Sequence, residues 1–385
     1  MPIVGDGVIW GAILRRSSPA VMQAGTMHIP DGYLSPSTCA ACYALAAGGW
    51  YAALKRIRRV LFTRAIPLIS VFAAFCFVLM MFNLPLPGGT TGHAVGVTAA
   101  TIVLGPWGAI LATSIALALQ ALFFGDGGIT TLGANCFNMA IVGAFVAYAA
   151  YRLLSTASEL NSRRRVIAAA IAGYLSINAS AFIAAVEFGI QPMLFHDASG
   201  TPLYAPYPLH IAIPAMMIGH LTLAGFAEAF IAGGMVSYLQ KVNPGLLQGL
   251  AGLQQEKIEF RVPANAGIRN LWLAVALLMM ITPLGILAVG TAWGEWSPVD
   301  FSSLQARAQI ASASHGQAPP DAVPSGLQKL SSFWTAPFPA YAPAFVRSPH
   351  LGYLLSAMFG VGLFGALSFI ASVIAKKRNR RELDS

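Results

Sequence analysis

Eight stretches of this chain are apolar over the length, or nearly the length, that ~30 Å of hydrocarbon demands of a helix, at residues 38–54, 66–82, 106–124, 130–151, 166–186, 211–239, 270–290 and 351–374. A bilayer offers backbone N–H and C=O groups no water, so a crossing segment satisfies them internally, and runs of this length select the helix. A ninth run, 94–104, is shorter and is parted from its neighbour by Gly105-Pro106, a helix-breaking pair. Residues 94–124 therefore read as a hairpin of one short and one full helix, with both ends on one side. The expected fold class is an all-α polytopic membrane protein of about nine transmembrane helices: a seven-helix body that includes the short hairpin helix, then two carboxyl-terminal helices. Only 10% of the residues are charged, under half the share usual in soluble domains, which leaves too little polar surface for a water-exposed body of this size.

The basic residues give an orientation, because Lys and Arg concentrate in cytoplasmic loops. Lys55, Arg56, Arg58, Arg59 and Arg64 fill one loop, Arg152 and Arg163 to Arg165 a second, Lys241, Lys257, Arg261 and Arg269 a third, and Lys376 to Arg381 the end of the chain. The alternate segments 27–37, 83–93, 187–210 and 291–350 contain only Arg307, Lys329 and Arg347. This places Met27 outside and the carboxyl terminus inside, and a net charge of +9 spread in this way points to no nucleic acid. Residues 1–26 fit poorly: Val8 to Leu14 is too short to span, and no clear cleavage site follows. An overextended start is expected there. The segment 291–350, rich in Pro, Ser, Ala and Gln, reads as an external linker or loosely ordered loop.

The most informative polar stretch is Met27-His-Ile-Pro-Asp-Gly-Tyr-Leu-Ser-Pro36. If translation begins at Met27, the second-position His28 can chelate through the terminal amine, its own amide nitrogen and its imidazole, a planar nitrogen field that suits Ni²⁺ or Cu²⁺ and, less strictly, Co²⁺. His93, at the mouth of the hairpin on the same face, can fill the fourth position; alone it would read as an interfacial histidine. Asp126, in Gly125-Asp-Gly-Gly128, can support an imidazole, or simply form a turn. Asn83 and Asn135 are further supporting candidates. Gln120, Asn138, Glu187, His220 and Glu228 lie in or beside spans, where hydrogen bonding between helices accounts for most polar groups. Cys39 and Cys42 form a lone CxxC in apolar surroundings and read as packing. Gly360-x-Gly-x-x-Gly365 lies inside an apolar span with no strand before it, and also reads as packing. Small residues at Ala40, Ala44 and Gly48 share one face of the first helix, permitting close approach within the bundle or to a partner subunit. No GxxxxGK[ST] loop, HExxH or GxSxG occurs, so the chain carries none of those hydrolytic machineries.

These motifs resemble the CbiM/NikM family, the substrate-binding component of energy-coupling-factor transporters for cobalt and nickel. Met27 to Pro36 is similar to its amino-terminal signature, and Gly88-Gly-Thr-Thr-Gly-His93 to its second histidine loop. Phe124 to Asn135, Phe137-Asn-Met139, Pro206-Tyr-Pro-Leu209 and Ala212 to Met217 continue the likeness to about residue 240. Thr282 to Ala288 and Gly290-Thr-Ala-Trp-Gly-Glu-Trp296 resemble the fused NikN-like accessory module of nickel-type members. The resemblance implies a metal-capture domain at 27–245, a cytoplasmic linker at 246–269 and an accessory module at 270–385, with 1–26 outside the mature protein. It further implies Met27, His28 and His93 as metal ligands, Ni²⁺ or Co²⁺ as transported substrate with no prosthetic group, and a coupling protein of the CbiQ/NikQ type with CbiO/NikO-type ATPases as partners, in a prokaryotic inner membrane. The extension before Met27 departs from the pattern, because it would turn the amine into an amide. Either translation starts at Met27, or the extension is removed, or the site is altered. An external accessory tail would admit or load metal. The rival readings are a self-sufficient secondary transporter or channel driven through Glu187, Asp126 or Glu228, and a membrane metalloenzyme.

Overall fold

The computed structural model describes residues 27–58, 65–250, 265–288 and 290–383. The amino-terminal extension, part of the first basic loop and most of the expected linker lie outside the described residues. Helix α1 (Pro36–Arg58) opens with proline at its first position, where the missing N–H costs nothing, and the Ser35 hydroxyl accepts from the Thr38 N–H at 3.2 Å. Helix α2 (Ala65–Met80) leads into a hairpin of β1 (Leu84–Leu86) and β2 (Thr90–Gly92), paired antiparallel with Leu84 opposite Gly92. Then come α3 (Val97–Leu119, extended by a π-helical turn Gln120–Phe124), α4 (Leu132–Ser155), α5 (Arg163–Gly189), α6 (Leu209–Val242) and α7 (Asn265–Ile281). Two short helices, α8 (Leu304–Ala313) and α9 (Ser325–Leu330), precede the last span, α10 (Pro349–Leu383). Six stretches among the described residues are long and apolar enough to cross a membrane. Large apolar side chains stand on the outside of these spans, Phe230 at 82% and Phe369 at 71% exposure, as lipid contact requires.

Helix α3 doubles back on itself. At Gly105 the backbone takes φ 72°, ψ 168°, which breaks the helix. Trp107, just past the break, lies under the Arg56 guanidinium, 4.7 Å from its ring centre, at the basic end of α1. Both ends of α3 return to the opposite side: Gly96 follows His93, and Asp126 meets His28, whose ring lies 5.0 Å from that of His93. Counting its halves separately, nine helical segments among the described residues answer to the nine apolar runs.

The carboxyl-terminal spans pack on the body. Gly360 of α10 seats the Phe77 ring where a Cβ would stand 2.3 Å from it, Phe364 meets that ring at 5.6 Å, and the Tyr353 hydroxyl donates to the Met81 carbonyl at 2.7 Å. Residues 290–348 depart from the loosely ordered loop expected of them. Trp293, Trp296, Phe301, Ile310, Leu327 and Tyr341 are all buried, and the segment forms a cap over the ends of the body helices. Its anchors are single aromatic and aliphatic residues inserted one at a time, so no periodicity announces them.

Candidate metal centre

The segment after Met27 is fixed by its backbone. Ile29 N–H donates to Asn135 Oδ1 at 3.1 Å, and the Ile29 carbonyl accepts from Asn135 Nδ2 at 3.2 Å and from Gly128 N–H at 2.9 Å. The Asp31 carboxylate accepts from the Ile129 and Thr130 N–H groups at 3.2 and 2.7 Å. So close an approach needs glycine at 128, where a Cβ would fall 2.4 Å from the Asp31 nitrogen, and at 127, where φ is +87° and a Cβ would meet His28. The Gly-Asp-Gly-Gly turn thus does two jobs: it lets the amino-terminal segment dock, and it aims Asp126 at it.

Asp126 Oδ1 accepts from the Met27 nitrogen at 2.7 Å and faces His28 Nδ1 at 3.0 Å, while Oδ2 accepts from the Tyr341 hydroxyl at 2.6 Å. Burial raises the Asp126 carboxyl, but the His28 charge and hydrogen bond, with those from Tyr341 and Met27, outweigh it and hold the group below the ordinary carboxylate range. His28 Nε2 is buried and has no partner among the described residues. His93 faces two carbonyls, Ala94 O from Nδ1 at 3.1 Å and Met27 O from Nε2 at 3.3 Å. Burial, with His28 beside it, pushes its pKa down to about 4, so near neutral pH the ring has one N–H for two acceptors. With that proton given to the nearer carbonyl, the Nε2 lone pair stands against the Met27 carbonyl oxygen, a repulsion that a cation between them would relieve. Met27, His28, His93, Asn135, His220 and Glu295 line one cavity of about 90 Å³.

The backbone around His93 is held by a residue outside the cavity. Glu228 on α6 is fully buried, and its Oε2 accepts from the N–H groups of Val95 and Gly96 at 2.8 and 2.9 Å. Glu228→Ala, which strands both donors, is expected to cost on the order of 2 kcal/mol or more, read as a lower melting temperature in detergent. Glu228→Gln, which keeps one acceptor, should cost less. Equal melting of all three proteins would show that the carboxylate does not hold this loop.

Of the residues expected at the site, Met27, His28, His93, Asp126 and Asn135 come together. Asn83 does not: it follows α2, lines no part of the cavity, and neither amide atom finds a partner among the described residues. Glu187 accepts from Asn138 Nδ2 at 2.7 Å and from the Cys42 thiol at 3.4 Å. It is engaged within the bundle, as Glu228 is, and Cys42 is thereby accounted for as packing. Among the described residues no group of three or more His, Cys, Asp and Glu side chains has metal-holding geometry, so any four-nitrogen site must draw on the backbone at Met27 and His28. Sequence reasoning missed Tyr341 and Glu295. The first carries no local signal; the second, an acid set between tryptophans in a segment poor in charge, carries one. Three π-helical stretches, Gln120–Phe124, Cys136–Val142 and His220–Ala224, adjoin this region, and such stretches are frequent at functional sites.

A family model described as the cobalt uptake substrate-specific transmembrane region matches residues 28–246. The fused nickel transport protein NikMN of Rhodobacter capsulatus is 52% identical over 341 residues, 88% of this chain and 95% of that protein. A probable fused nickel transport protein, LarMN of Lactiplantibacillus plantarum, is 40% identical over the same shares of both chains. The crystal structure of a transition metal transporter, 52% identical, superposes with a TM-score of 0.53 over 56% of this chain and 93% of its own. At 341 residues, the match to both fused relatives is longer than the stretch matched by the family model and so takes in residues outside it. On the family match over more than half its length, and on relatives shared nearly end to end, the chain belongs to the CbiM family of cobalt and nickel transport proteins, in the fused form with a NikN-like carboxyl-terminal part.

Proposed function

We propose that this chain is the substrate-specific component of an energy-coupling-factor importer for Ni²⁺ or Co²⁺. The observation that carries the reading is the convergence of the Met27 nitrogen, His28 and His93 on one buried site, all three residues lining the same cavity. Met27, His28 and His93 are the proposed ligands. The fused chelate would use the Met27 amine, the His28 amide and His28 Nδ1, and two of these three nitrogens already meet at Asp126 Oδ1. Metal would replace that shared acceptor at His28 Nδ1 and leave Asp126 to accept from the N–H groups that a metal-bound Met27 amine keeps. Residues 27–245 form the capture body, 246–269 a cytoplasmic linker and 270–385 the accessory module, with the Met27 side outside and the carboxyl terminus in the cytoplasm of a prokaryotic inner membrane.

Transport itself takes partners: a transmembrane coupling protein of the CbiQ/NikQ type, and CbiO/NikO-type ATPases whose hydrolysis drives reorientation of the capture body. Ala40, Ala44 and Gly48 of α1 face outward, and a Cβ at Gly48 would meet nothing within 4 Å, so this small-residue face is open to a partner helix. Intact mass, amino-terminal sequence and metal content of the purified protein test the site, and vesicle uptake tests the mechanism. The expected result is a chain beginning at Met27 with stoichiometric Ni or Co, taking up metal only with the coupling and ATPase subunits and ATP. Uptake by the chain alone would mean a secondary transporter instead. Tight binding by a chain that keeps residues 1–26 would remove the amine from the site.

A further inference from the structure

Glu295 is a buried carboxyl group with no part in the reading above, and burial, with the Asp126 charge, holds its pKa well above the ordinary carboxyl range, so that an arriving cation takes the place of its proton. It is 7% exposed, and its Oε2 has no hydrogen-bond partner among the described residues. Its position is built with care. The Glu295 N–H donates to the Ala292 carbonyl at 3.1 Å, Ala292 bridges to Thr91 two residues before His93, and the next residue, Trp296, donates its N–H to the Tyr33 hydroxyl at 3.2 Å. The turn carrying Glu295 is thus tied to both loops that bear the histidines. Gly294, at φ +86°, packs on Phe188 so closely that a Cβ would fall 2.4 Å from the ring.

Two cavities meet at this side chain. The inner one is the 90 Å³ space with His28 and His93. The outer one, about 690 Å³, lies under the cap and is walled by Asp300, Gln309, Ser331, Ser332 and Thr335 among others. Glu295 and Thr90 are the residues that line both. A cation passing from the outer cavity to the inner one loses water beside the packed rings of Trp293 and Trp296, where a carboxyl oxygen that gives up its proton can replace it. A carboxylate is an oxygen donor suited to a partly hydrated divalent ion, and it holds Ni²⁺ or Co²⁺ less firmly than a nitrogen chelate. A buried acid left without a partner is destabilising unless something arrives to pair with it.

We propose that Glu295 is a transit ligand, which takes the divalent cation from the outer cavity and passes it to the nitrogens of His28 and His93. This rests on the metal-capture reading of those two histidines. A group that lowers the barrier between two cavities speeds passage both ways and leaves the equilibrium untouched. In the purified protein, with whichever amino terminus the cell leaves, Ni²⁺ alone as probe and quenching of tryptophan fluorescence as the signal, Glu295→Gln should slow association and dissociation alike, about tenfold, with Kd unchanged and melting as in wild type. Glu295→Asp should restore much of the rate. Unchanged rates in Glu295→Gln overturn the proposal. So does a Kd that rises as in His93→Ala with association intact, which would make Glu295 a resident ligand, and so does an aspartate variant as slow as the glutamine one. Normal Ni²⁺ affinity in both His28→Ala and His93→Ala would instead sink the capture reading itself, whatever Glu295 does.

Discussion

Replacing His28 or His93 with alanine in a chain that begins at Met27 is expected to abolish high-affinity Ni²⁺ or Co²⁺ binding. A four-ligand protein site is worth on the order of 10–16 kcal/mol, so an equal share per ligand is about 3 kcal/mol, roughly a hundredfold in Kd. His28→Ala should do worse than His93→Ala. Its imidazole closes a ring with the amide of the same residue, and without it the amide nitrogen has little reason to give up its proton. The cavity should survive both changes, because the amino-terminal segment is held by Asn135, Gly128 and Asp31 rather than by the imidazoles. Titration against a competing chelator reads the effect. Wild-type affinity in either variant would show that the metal sits elsewhere.

Asp126→Asn should weaken metal binding about 10- to 100-fold, the usual cost of removing a group that orients a ligand, while the protein still folds. The carboxylate accepts three hydrogen bonds, from the Met27 nitrogen, His28 and Tyr341. An amide has one acceptor oxygen and one donor nitrogen, so it can serve Met27 and His28 or Tyr341, but not both sides. Turned to keep Met27 and His28, it offers Nδ2 to the Tyr341 hydroxyl, which already accepts from Gln120 Nε2 at 2.9 Å and would have nowhere to place its own proton. The amide also carries no charge to offset that of a divalent ion held beside it by Met27 and His28. Affinity equal to wild type would reduce Asp126 to a turn residue.

The sequence announces the spans, the break at Gly105-Pro106 and the pairing of His28 with His93, because each follows from a local rule: hydrophobic length, helix-breaking chemistry, and the side on which a loop emerges. Asp126 was also legible, through the turn glycines on either side of it, and Asn135 as a polar residue beside a span, at the end of the segment that resembles the family. The cap was not. Tyr341 reaches Asp126 across 215 positions of chain, and such a contact leaves no period or spacing to read. Asn83 shows the converse, a polar residue in a suggestive loop that the fold turns away from the site.

The bond between Tyr341 and Asp126 makes one carboxylate common property of the amino-terminal segment and the carboxyl-terminal cap. Tyr341 and its neighbour Ala340 hold left-handed backbone angles, φ 58° and 51°, a conformation that surrounding contacts must sustain. If metal redistributes the hydrogen bonds of Asp126, it changes what the cap gains by staying closed. Thermodynamic reciprocity then fixes the exchange: the factor by which a closed cap alters metal affinity is the factor by which bound metal alters cap closure. Loading and cap position are in this sense one equilibrium seen from two ends, and a probe on the outer surface of the cap would report the occupancy of the site beneath it.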